Sequence, residues 1–168
     1  MKRSTLAFAL LLVAITLAQA QGPPAVLQDR FLDNFVGDWR VERKFANGRT
    51  AETSVRGEWT LKHQFIELQY GYVDAAAEYE AIVFIGFDDA DKTYICHWVD
   101  VFGGRYSEYG RGKIDKDLRA IEFSFNPKEG GLTNKFAFDW QNKVWTSLIR
   151  QQEKGEWKIF AEEKWTKK

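Results

Sequence analysis

The stretch FVGDWRVERKF, Phe35 to Phe45, alternates apolar and charged residues from Trp39 onward and runs into the dipeptide Asn47-Gly48. A period of two is that of a β-strand, in which successive side chains point to opposite faces. Trp39, Val41, Arg43 and Phe45 share one face, and Asp38, Arg40, Glu42 and Lys44 share the other. Asn-Gly is the chemistry of a tight hairpin, because both residues tolerate positive φ. The stretch therefore predicts the opening strand of an antiparallel sheet. It also sends one charge, Arg43, to the apolar face.

The same period continues to the C-terminus, broken by turn signals. Strands are predicted at about 36–46, 50–59, 62–73, 78–87, 92–101, 105–114, 118–125, 133–140, 143–152 and 156–166. Their connections are short and polar, such as DDADK, QNK and EKGE. Parallel neighbours need crossovers of a dozen residues or more, for which there is no room, so the sheet is an antiparallel meander. About ten strands in an open sheet would leave two long edges unpaired, and closure into a barrel removes them. A barrel of that size can hold a small ligand. Before the first strand, apolar residues at 26, 27, 31 and 32 fit one face of a short helix over 25–34.

The 168-residue chain opens with Lys2 and Arg3, the apolar run LAFALLLVAITLA and the small-residue motif Ala18-Gln19-Ala20. These are the parts of a secretory signal peptide cleaved after Ala20. The apolar run is shorter than the ~20 residues that span a bilayer, so no stable membrane anchor is expected. The expected organisation is a leader over 1–20, a linker and short helix over 21–34, and one barrel domain over 35–168, exported to a bacterial periplasm or secreted. Lys and Arg number 24 and Asp and Glu also 24, a balance that gives no electrostatic footprint for nucleic acid. A single Cys, Cys96, excludes an internal disulfide and reads as a small buried hydrophobe within TYICHW. Core material is aromatic: 13 Phe, 7 Trp and 6 Tyr.

Three segments together resemble a known family: FLDNFVGDW, then GFDDADKTYICHWVDVFGGRYSEYGRGKID, and last GEWKIFAEEKWTKK. They are similar to the DUF1579 family of small, often exported bacterial proteins, itself similar to the calycin-like barrels, among them lipocalins, fatty-acid-binding proteins and nitrobindin-type haem barrels. The resemblance implies that Gly37 and Trp39 form a barrel-closing motif, with Trp39 under a cation supplied by Lys164 or Lys167. Haem barrels of this kind hold their iron through a His near the C-terminus. This chain has no His after His97, so haem is the lesser alternative to having no cofactor.

Chemical motifs are few. No Gly-x-Ser-x-Gly occurs, and two His with one Cys do not supply the three or four ligands of a zinc site. The functional expectation is a small-molecule binder whose aromatic interior takes an apolar or amphipathic ligand, oriented by a few inward polar groups. The candidates for those groups are Arg43, Glu67, His97 and Tyr106. A buried guanidinium needs a partner, and for Arg43 either a ligand acid or an internal carboxylate would serve. Two alternatives stand beside this: an enzyme with an acid–base pair inside the barrel, and a structural or protein-interaction module with a filled core.

Overall fold

The computed structural model describes residues 25–72, 77–117, 119–125 and 130–168. The leader and its cleavage point at Ala20 lie outside them. Among the described residues, no helix is long and apolar enough to cross a membrane.

Ten antiparallel strands close into a barrel: β1 (Gly37–Phe45), β2 (Thr50–Thr60), β3 (Phe65–Tyr70), β4 (Ala81–Asp88), β5 (Thr93–Asp100), β6 (Glu108–Ile114), β7 (Ala120–Phe125), β8 (Leu132–Asp139), β9 (Val144–Glu153) and β10 (Glu156–Lys167). Each strand pairs with the next in sequence, and β1 pairs with β10 to complete the ring. The expected meander and its closure are therefore as the alternation and the turns require. Two elements differ from expectation. The helix over 25–34 is a single 3-10 turn, Leu32–Phe35, and a second 3-10 turn, Gly104–Tyr106, delays the start of β6 to Glu108.

That first turn is a plug. Asp29 caps it, its Oδ1 accepting the backbone N–H groups of Phe31 at 2.9 Å and Leu32 at 3.0 Å. Asp29 is held in turn by the Tyr94 hydroxyl on β5. Leu32 and Phe35 are fully buried, and Phe35 stacks on Trp145 with ring centres 3.9 Å apart. Three strand indoles clamp the plug by donating to it: Trp39 to the Phe35 carbonyl at 2.8 Å, Trp145 to the Asn34 carbonyl at 3.0 Å, and Trp59 to Asp33 Oδ1 at 3.0 Å. A buried Trp needs a partner for its N–H, and two backbone carbonyls of the plug provide it for Trp39 and Trp145, while the half-buried Trp59 uses the Asp33 carboxylate.

Trp39 also meets its expected cation. Trp39 and Lys167 are direct partners across the β1–β10 seam, and Lys167 Nζ stands 5.4 Å from the Trp39 ring centre. The Lys167 side chain passes over Gly37, where a β-carbon would lie 2.9 Å from its Cε and where φ is +127°. Gly37 thus gives the strand both its backbone conformation and the room for the cation above Trp39.

Behind the plug the interior is packed with aromatic and branched side chains: Trp39, Trp145, Trp165, Phe123, Phe136, Ile66 and Leu68. Cys96 lies fully buried in this half, and burial pushes its thiol pKa up, away from the reactive thiolate. Its modification by a disulfide reagent is expected to be negligible in native buffer and to appear only with unfolding. Fast labelling of the native protein, followed by absorbance, would contradict that packing.

Candidate ligand-binding cavity

The packed half ends at Trp165, and the other half of the barrel is open. A cavity of about 1050 Å³ extends from there to the mouth. Its walls are largely apolar: Phe45, Tyr79, Trp98, Phe125, Leu132 and Ile149 among others. Phe102, Tyr106 and Phe160 reach the rim and are each more than two-fifths exposed. A β-bulge in β10, between Ile159 and Ala161, produces part of that rim. Before the bulge Trp157 and Ile159 face solvent, and after it Ala161, Glu163 and Trp165 face inward. The residue at the bulge, Phe160, turns over the mouth and packs edge-on against Phe45 at 5.8 Å.

The floor is polar and tightly held. Arg43 Nε donates to Glu163 Oε1 at 2.6 Å, Arg43 Nη2 meets the same oxygen, and the Trp165 indole N–H donates to Glu163 Oε2 at 3.0 Å. The Glu163 side chain is fully buried and that of Arg43 is 11% exposed. Burial opposes the Arg43 charge, but the Glu163 carboxylate together with Tyr70 and Tyr79 more than offsets this, and the Arg43 pKa is raised. The internal carboxylate is thus the partner that Arg43 requires. Beside the pair, the Tyr70 hydroxyl is buried with no hydrogen-bond partner among the described residues, and its pKa is driven well up, first by burial and then by Glu163. Across the cavity Trp98 Nε1 donates to the Tyr79 hydroxyl at 2.9 Å, which donates to Asp100 Oδ2 at 3.2 Å. Asn134 lines the wall and accepts from the Ser147 hydroxyl at 2.8 Å.

The four expected polar groups separate into two pairs. Arg43 lines the cavity at its floor and Tyr106 at its rim. Glu67 and His97 do not face the interior, and their expected inward placement is corrected. Glu67 alternates with buried Ile66 and Leu68, lies on the outer face and accepts from Gln69 at 2.6 Å. His97 is exposed on the outer face of β5, against Tyr109, while Cys96 is the buried neighbour. Both faces of β5 carry apolar residues, so composition alone left the direction open.

Glu163 was not among the candidates, although one signal reaches it. From the Trp39–Lys167 pair, equal steps along the two antiparallel strands lead to Arg43 opposite Glu163. Among the described residues there is no group of three or more His, Cys, Asp and Glu arranged to hold a metal.

A closed antiparallel meander with one end plugged over a Gly-x-Trp strand and a lined cavity at the other end is a calycin-like barrel. The chain belongs to the DUF1579 family, described as proteins of unknown function, whose family model matches residues 27–167. No curated protein matches the sequence.

Proposed function

We propose that this is an exported binding protein that holds a small, mostly apolar molecule in the open half of its barrel. The observation that carries the reading is the cavity of about 1050 Å³, with aromatic and aliphatic walls and a few fixed polar groups at its floor. Ligand pockets are commonly of this kind and of roughly 300–1,000 Å³. Binding would follow from burial of apolar ligand surface, at roughly 25 cal/mol per Å² before the costs of association. The plugged half supplies a rigid base, so the open half need not collapse to stabilise the fold. Export rests on the leader pattern at residues 1–20.

The neutral dye Nile red tests the reading. Its emission is expected to brighten and shift to the blue with the native protein. Thr53 lines the cavity wall, and Thr53→Trp is expected to weaken dye binding by about tenfold or more while leaving the unfolding midpoint nearly unchanged. No dye uptake, or uptake indifferent to that substitution, would refute an internal site.

A further inference from the structure

The chemistry of the cavity floor limits what kind of polar group a ligand can bring to it. On the basis of the binding reading above, we propose that the ligand's inner end is an uncharged hydrogen-bond acceptor, such as an amide, ketone or ester carbonyl, that receives an N–H of Arg43. A carboxylate is the obvious alternative for an arginine at the bottom of an apolar cavity. The structure argues against it on three counts.

Arg43 is already neutralised. Glu163 accepts its Nε at 2.6 Å and also meets its Nη2, so the pair leaves no unopposed positive charge on the floor. Glu163 is fixed as well, because the Trp165 indole holds its second oxygen at 3.0 Å, and it has no solvent to turn towards. A ligand carboxylate beside Arg43 would therefore lose its hydration and meet a second buried carboxylate at close range.

The rest of the lining offers no compensating charge. Glu52 is paired at 2.7 Å with Arg40, which is not part of the lining, and Arg43, Arg49 and Arg105 stand against Glu163, Glu78 and Asp100. Three cations thus stand against three carboxylates, and the cavity carries no net positive charge to receive an anion.

Donors nevertheless remain. A guanidinium carries more N–H groups than one carboxylate oxygen can take. Arg43 lines the cavity, and among the described residues its only hydrogen-bond acceptor is Glu163. A neutral acceptor reaching Nη1 would gain a charge-assisted hydrogen bond without placing a new charge in the interior.

The test is displacement of Nile red from the wild-type protein by three probes with one chain length: octanamide, octanoate and octylammonium, at neutral pH. Octanamide is expected to displace the dye at about tenfold lower concentration than either ion. Octanoate displacing as well as octanamide or better overturns the proposal. So does a preference for octylammonium, which would assign the site to a cation held by Asp100 and the aromatic walls. Arg43→Met is expected to weaken octanamide by about tenfold, its affinity being read against the dye affinity measured for that same variant, and an unchanged octanamide affinity overturns the proposal. Glu163→Gln should shift the preference towards octanoate. Where either variant does not fold, the wild-type order of the three probes decides. Failure of the dye and of all three probes to bind would instead sink the binding reading itself.

Discussion

Glu163→Ala is expected to lower the stability of the barrel by about 3–5 kcal/mol, the cost typical of leaving one partner of a buried ion pair alone. The change strands the Arg43 guanidinium at 11% exposure and removes the acceptor of the Trp165 indole, so two polar groups lose their partner at once. The measurement is urea unfolding followed by tryptophan fluorescence, with a fall in the midpoint at an unchanged slope. Removing both charges tells the desolvation cost from the loss of packing. The double variant Arg43→Met/Glu163→Leu keeps the volume and leaves no buried charge, and it is expected to recover most of the lost stability. If Glu163→Ala alone costs under about 1 kcal/mol, the pair is solvated in a way its burial denies.

The second large effect is expected at Gly57. This residue pairs with Gly37 at the plugged end, and a β-carbon on it would lie 2.1 Å from the Phe35 carbonyl oxygen. That oxygen belongs to the plug backbone and accepts the Trp39 indole, so it cannot move without unseating the turn. Gly57→Ala is therefore expected to cost about 3 kcal/mol, at the upper end of the usual penalty for overpacking. Gly104→Ala is the matched control. It has open space around it and ordinary backbone angles, and it should stay within about 0.5 kcal/mol of the parent protein. Equal stability of the two variants would mean that the plug does not sit on β2 as closely as described.

The fold was legible because its punctuation is strong. Asn47-Gly48, the DDADK turn and the EKGE turn each separate runs of period two, and the observed strands lie within those runs to a few residues. The side chains were less legible, for two physical reasons. First, alternation fixes which residues share a face but not which face is inside when both are apolar, as with His97 beside Cys96 and Trp98. Second, a bulge reverses the alternation partway along a strand. Trp157 and Ile159 have the same parity as Glu163 and Trp165, yet face the opposite way. Arg43 was visible because no such break precedes it in β1. Its partner was hidden by distance along the chain, 120 positions away on the last strand. The plug was hidden for a related reason. Its residues look like a helix in isolation, and only contact with distant indoles selects the tight turn.

The separation between Arg43 and Glu163 also bears on how the chain reaches its native state. The ion pair joins the first strand to the last, and the plug depends on Trp145 and packs near Trp165. Neither end of the molecule can finish its contacts until nearly the whole polypeptide is present. Contacts of such long range make for slow folding, because the entropy of closing the large loop is spent before the contacts return it. The buried charges at the seam therefore stay hydrated through most of the search. They cannot be enclosed before β10 docks against β1.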